Sequence, residues 1–493
     1  MAENNQLEVA KEMSLGYYLT GVTILAIAAL LGFTVRLSQT GSLGNVPELY
    51  YTLMTLHGMA AFVGWGCFAS MGLTWYTLVK HLNSPLHSAR LVQFIYWNFM
   101  VGVVLLVIAT LFGNFGASWV FLYPLSFYGY WESWAAFIWN LGVLLAGVSI
   151  ILYGLEILLT IKKAGYGILD ALGFEIFKPS KWEKGAKRVP LPIVPLAVIG
   201  LGMIVATIPF AYLLVYTLLE FAGVTGRMNA LLAKNILWWF GHPVVYLILF
   251  PVVAFMYSVT MDYTDHNIIG EKWAKSAWFV ATAVQNFIGF HHVYADLAQQ
   301  QWIHAVSEVG TYAIILPSLV SIFSISATIY LYKFRWGVAS RYVFVSLTFW
   351  LLAGMSGWVN ATIALNEFVH NSLWVVAHFH TMAVLALSTM LFGMAFHIME
   401  QYKGVYSEKL ATTALYTYVI AGVGFVHLWF IQGLWGGIRR SYRSTPESLN
   451  LFTWLSIFFA FFLMLGLWLN AYNSYMSIWG KTATKSESAV AAD

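Results

Sequence analysis

The sequence predicts an all-α integral membrane protein whose helices cross the bilayer twelve times. Three observations carry this. Of 493 residues, 60% are hydrophobic and only 9% charged, with a mean hydropathy of +0.72, whereas soluble domains carry about 25% charged residues. Apolar runs of about 20 residues, enough to span a hydrocarbon core, recur from end to end. Lysine and arginine gather on one side when successive loops alternate across the membrane.

The first run, 16–36, follows a polar, mixed-charge stretch of about 1–15. It has no small-residue cleavage site, so it reads as a retained crossing and not a removed leader. The second and third runs lie at about 50–79 and 91–112. The fourth, 132–161, ends in the longest break, about 162–191, which is basic and reads as a connector. The fifth is 192–220. The sixth, 234–261, contains "WWFGHPVVYLILF", and the seventh, 276–297, contains "GFHH" near its end. Runs at 304–332 and 342–365 precede the tenth, 373–399, which opens on "VVAHFH". The last two, 411–435 and 448–478, leave a polar tail of about 480–493. With the N-terminus cytoplasmic, nineteen of the 25 lysines and arginines face inward and six outward. That positive-inside bias puts both termini in the cytoplasm. Three of the six outer cations crowd into "GGIRRSYR", an exception that calls for a local anion. A net charge of +4 says nothing about nucleic acid, and none is expected as a partner. The one cysteine, Cys67, excludes a disulfide framework and any cysteine-clustered metal site in this chain. No long repeat or soluble domain interrupts the series, so 1–493 reads as a single transmembrane domain.

Thirteen histidines are present, and this topology sorts them. His81, His87 and His266 fall in inner loops. His304, His397 and His427 lie near membrane ends or on helix faces, where packing explains them. Seven remain, all at the outer half or outer edge: His57, His242, His291, His292, His370, His378 and His380. Intramembrane ionisable groups are costly and usually functional, and imidazole is the commonest metal ligand. His378 and His380 stand two apart on a helix, so they point about 200° from each other. They cannot share one metal, but they can serve two flat cofactors on opposite sides. A haem iron takes an axial imidazole, so the pattern fits two haems, with His57 placed to close one of them. Its neighbour Gly58 leaves room for a ring near the backbone. His291 and His292 sit where their helix ends, and Pro243 loosens the turn that holds His242. Three imidazoles with an open position suit copper or zinc. Tyr246 follows His242 by four residues and shares its face, where a phenol can supply a proton and an electron.

The motifs "TLHG", "WWFGHPVVY", "GFHH", "VHNSLWVVAHFH" and "IRR" occur in the order and at the intervals of a known family. The chain resembles the catalytic subunit I of the haem–copper oxidase superfamily (cytochrome c or quinol oxidases), over most of its length. The resemblance implies twelve helices enclosing two haems and one copper ion. It implies that His57 and His380 are the axial pair of a low-spin haem and that His378 is the axial ligand of a high-spin haem. His242, His291 and His292 resemble the copper ligands, and Tyr246 matches the tyrosine that family members cross-link to the first of them. Arg439 and Arg440 match the pair that binds haem propionates, which accounts for the outer cations. Asn366, Glu367 and His370 lie where a propionate-side cluster is expected, with helix capping as the competing reading. The A branch has a glutamate, serving a second proton channel, where Val244 stands; the motifs look more like the B branch. Tyr246, Tyr257, Ser318, Ser321 and Thr311 form the expected proton path from the cytoplasm. Val253 replaces a further tyrosine, so one rung is missing or filled by water.

The implied activity is that of a terminal respiratory oxidase reducing O2 to water, coupled to proton uptake and pumping, in a prokaryotic inner membrane. The alternative is nitric oxide reduction by a related enzyme with non-haem iron and a carboxylate ligand; Glu308 keeps it open. A midplane transporter is a third reading, but it calls for inverted repeats that the sequence lacks. Expected partners are an electron-donating subunit II, other small membrane subunits, and cytochrome c, another small redox protein or quinol. The haem types (a, b or o) are not legible.

Overall fold

A computed structural model describes residues 2–443 and 446–480, with side chains from Gln6 onward. The expected polar tail beyond residue 480 lies outside the described residues. Twelve helical segments carry the architecture: α1 (Ala2–Ser38), α2 (Pro47–Leu82), α3 (Ala89–Leu111), α4 (Ser133–Lys163), α5 (Ile193–Phe221) and α6 (Ala230–Thr264). They continue as α7 (Glu271–Val284), α8 (Gln301–Leu331), α9 (Val338–Ala361), α10 (Leu373–Tyr402), α11 (Glu408–Leu434) and α12 (Asn450–Trp479). No strand occurs among the described residues. In hydrocarbon every backbone donor and acceptor must be satisfied within its own segment, which selects helix for such runs.

Eleven of the twelve are long and apolar enough to cross a membrane; α7 is not. The run expected at 276–297 is a 14-residue helix beginning at Glu271, then a turn, then a 3-10 helix over Ile288–Val293. The polar start of the chain, expected as a tail, is drawn into α1 from Ala2.

Three helices depart from regularity beside histidines. α6 is interrupted at His242, which ends one helix (Ala230–Gly241) and precedes another that starts on Pro243. Pro at a first helical position forfeits no hydrogen bond, because that N–H is unpaired in any helix. α2 and α10 each contain a π-helical stretch, Ala60–Cys67 and Thr381–Ser388. Each begins within three residues of a histidine, His57 or His380, and such widened turns are frequent at functional sites. Elsewhere packing is close. A Cβ on Gly154 of α4 would lie 2.3 Å from the Gly200 carbonyl of α5, the backbone approach that small residues permit between membrane helices.

Candidate metal and cofactor centre

The irregular points of α2, α6, α7 and α10 converge on one cavity of about 1390 Å³. Single-ligand pockets are roughly 300–1,000 Å³, so this volume exceeds what one small molecule needs. His57, His242, His291, His292, His370, His378 and His380 all line it.

Three of these rings are pinned in the same way. His57 Nδ1 lies 2.8 Å from the Ala28 carbonyl, His380 Nδ1 2.9 Å from that of Val376, and His378 Nδ1 3.1 Å from that of Ala353. A carbonyl on one nitrogen fixes the proton there and leaves Nε2 bare for a metal. The His57 and His380 rings are nearly parallel, 12° apart, with centroids separated by 6.4 Å. That gap takes one metal ion between two nitrogens at about 2 Å each. His378 points away, toward α9, where Ser356 Oγ also reaches its Nδ1 at 3.0 Å. Two glycines make this possible. A Cβ on Gly32 would sit 2.5 Å from His57 Cε1, and one on Gly357 2.7 Å from His378 Cε1. Gly58 also lines the cavity, and its missing side chain makes room for the Trp119 indole, whose Cδ1 a Cβ would meet at 3.0 Å.

The second cluster is the histidine triad. The ligand atoms of His242, His291 and His292 lie within 4.8 Å of one another. Nitrogens on one ion at about 2 Å each stand up to about 4 Å apart, so small closure suffices. The chemistry of the set, three neutral imidazoles with no carboxylate, fits copper or zinc. Because the regular helix ends at Val284, His291 and His292 lie in the following 3-10 helix, where both can face one point. The His292 ring is stacked on Trp238 at 4.1 Å, and His291 Nδ1 meets Thr311 Oγ1 at 3.0 Å. His242 Nδ1 faces His292 Nε2 at 3.1 Å, while its Nε2 meets the Tyr246 hydroxyl at 2.8 Å.

The rim of the cavity is cationic. Arg439 and Arg440 line it, and neither is paired with a carboxylate among the described residues. Arg439 is braced by Asn371, whose Oδ1 accepts from its Nε at 3.0 Å. Burial, then repulsion from Arg440, pushes the Arg439 guanidinium down to about 10; burial also lowers Arg440. His370 is held below the usual imidazole range by burial first and Arg439 second. Asn366 lines the same rim and donates to the Asn360 carbonyl at 2.7 Å. Glu367 is exposed and does not line the cavity.

At this point the chain can be compared with known proteins. Residues 12–477 match the family described as "Cytochrome C and Quinol oxidase polypeptide I". The chain belongs to this family. It is 27% identical over 367 residues to the quinol oxidase subunit 1 of Sulfolobus acidocaldarius, covering 73% of this chain and 66% of that one. It is 24% identical over 468 residues to the cytochrome c oxidase subunit 1 of Thermus thermophilus, covering 88% and 77%. The chain thus spans about two thirds to three quarters of those relatives. A structure reported as "Cryo-EM structure of a heme-copper terminal oxidase dimer provides insights into its catalytic mechanism" matches with a TM-score of 0.79 at 19% identity. The match covers 97% of this chain and 85% of that one.

Within this oxidase-family fold the expected proton-path residues are distributed unevenly. Tyr257 donates to Ser321 Oγ at 2.6 Å and accepts from Trp278 Nε1 at 3.2 Å. Tyr246, Ser318 and Thr311 line the cavity, and Thr311 is engaged with His291. Between the two tyrosines stands Phe250, stacked on Tyr246 at 4.6 Å and edge-on to Trp278 at 4.7 Å. Glu308 lies apart from the triad, accepting from the Ile363 amide at 2.9 Å and the Tyr312 hydroxyl at 3.1 Å.

Several cavity-lining polar positions escape the sequence reading, four of them charged or with an unpartnered amide. Arg36 is 3% exposed, with its guanidinium on Ser456, Gln39 and Gln432 and no carboxylate. Lys234 and Asp296 form an ion pair at the rim, and Asn360 lines it with its side-chain amide unpartnered. An arginine inside an apolar run was the available signal for Arg36; the other three carry none.

Proposed function

We propose that this chain is the catalytic subunit of a terminal respiratory oxidase that reduces O2 to water. The observation that carries this is the Tyr246 hydroxyl on His242 Nε2 at 2.8 Å, within a three-imidazole cluster that opens on the cavity holding His378. His57 and His380 would hold a low-spin haem, His378 a high-spin haem, and His242, His291 and His292 a copper ion. When bound, these groups supply the electron storage and the oxygen-binding position. The chain's own residues do the rest. Ala28, Val376 and Ala353 fix each imidazole proton on Nδ1, so each Nε2 would be free to meet an iron without reorganisation. Trp238 and Thr311 orient two rings of the triad. Tyr246 holds a proton at the edge of His242 and can release it into the cavity together with an electron. Arg439 and Arg440, with Asn366 and His370, present an unneutralised cationic rim suited to propionate carboxylates.

Tyr257 and Ser321 support a single proton path from the cytoplasm, in keeping with Val244 and a B-branch assignment. The oxygen reading is favoured over nitric oxide reduction by Tyr246 and by the position of Glu308, whose carboxylate caps the turn at Ile363. Subunit II delivers the electrons, from cytochrome c or quinol. The test is Tyr246→Phe in the holoenzyme, with copper and haem iron quantified beside oxygen uptake. We expect one copper and two haem irons, unchanged haem bands, and turnover lowered by about 10²-fold or more, the usual scale of positioned proton transfer. Three irons without copper, or full oxygen uptake by the variant, would overturn the reading.

A further inference from the structure

The segment joining α4 to α5, residues 164–192, has no part in the proposal above and is not a free solvated loop. It is fastened to α7. Lys275, fully buried, places Nζ 2.5 Å from Glu175 Oε1, 2.6 Å from the Val189 carbonyl and 2.6 Å from Glu271 Oε1. Thr282 Oγ1 donates to the Leu172 carbonyl at 3.2 Å, and Phe279 meets the rings of Phe174 and Phe177 edge-on at 4.9 and 5.2 Å. The Trp182 indole lies against Arg188, Lys272 and Lys275 at 5.2, 5.2 and 5.5 Å.

Held this way, the segment turns two kinds of group outward. Leu169, Phe177 and, at the base of α7, Trp273 are 61, 64 and 76% exposed. Beside them stand Lys162, Lys163, Lys178, Lys184, Lys187 and Lys272, all exposed. Residues 162–191 with 271–275 hold nine lysines and arginines against four acids. Three of those acids are already used: Glu175 and Glu271 by Lys275, and Asp170 by Lys178 and Lys181. Lys162, Lys163, Lys184, Lys187 and Lys272 have no carboxylate partner among the described residues. The strap therefore lies where α4 ends and α5 begins, with bare aromatic and aliphatic side chains next to uncompensated cations. An interfacial element with apolar groups at the acyl boundary and lysines at headgroup level has this composition.

We propose that this strap binds acidic phospholipid headgroups, its lysines taking the phosphate while Leu169, Phe177 and Trp273 enter the acyl boundary. The assignment is independent of the oxidase reading. The test uses the full chain in phosphatidylcholine bilayers containing spin-labelled phosphatidylglycerol or spin-labelled phosphatidylcholine. The native chain is expected to immobilise phosphatidylglycerol preferentially. The triple variant Lys184→Gln, Lys187→Gln, Lys272→Gln should lose about fivefold in that preference for each lysine that meets the headgroup plane, with phosphatidylcholine association unchanged. Phe177→Gln, which keeps every charge, should also weaken phosphatidylglycerol retention. Unchanged haem difference spectra would show both variants intact. Equal preference in native and triple-variant protein would overturn the proposal. So would complete displacement of the lipid by inorganic phosphate, since the ligand would then be the free anion. Retention unaffected by Phe177→Gln would overturn the acyl-boundary part.

Discussion

At the scale of single residues, the site depends on what is missing as much as on what is present. His57 cannot swing aside without losing its bond to Ala28, and Gly32 lies against its ring edge. Gly32→Ala inserts a methyl 2.5 Å from His57 Cε1, so the imidazole must leave its present position beside His380. We expect the low-spin haem bands to be lost or shifted while copper content stays at the native level, as read by difference spectroscopy and metal analysis. Unaltered bands would show that α1 yields instead. The seven histidines were legible because ionisable groups are rare in apolar runs and these fall at one depth. Lys234 and Asp296 were not, because they are 62 positions apart and each stands at the end of an expected crossing, where a single charge is ordinary. Thr311 was read as a path residue, and the structure places it on His291 Nδ1.

At the scale of elements, length and hydropathy located the crossings but not their interruptions. "GHPVV" announces a break through its proline, and the break is there. "AAFVGWGC" and "TMAVLALS" do not announce a π-helix, because such apolar runs read the same as a regular membrane helix. α7 is the element whose form departs furthest from expectation, and Lys275 ties its base to the strap. That lysine and Glu175 are both without exposure, and breaking a buried pair by deleting one partner costs about 3–5 kcal/mol. Lys275→Met should lower thermal stability accordingly and open residues 164–192 to protease. Lys275→Met combined with Glu175→Leu should recover most of the loss, because no lone charge is then left buried. If the single variant resists protease as well as the native chain, the pair is not what holds the strap.

At the scale of the whole molecule, the structure has two unlike ends. One gathers the histidine cavity and its arginine rim; the other carries the strap and most of the lysines. The positive-inside bias predicts that the strap end faces the cytoplasm. Lys184→Cys tests this directly, since the only native cysteine, Cys67, is buried. A membrane-impermeant maleimide should label position 184 in inverted vesicles and not in intact cells. The opposite pattern would reverse the topology and, with it, the direction of proton uptake. That direction gives Phe250 its significance. A benzene ring can neither accept nor pass on a hydrogen ion, and this one packs on Tyr246 and on the indole that donates to Tyr257. If the two phenols serve the one proposed path, water must carry the hydrogen ion past that ring.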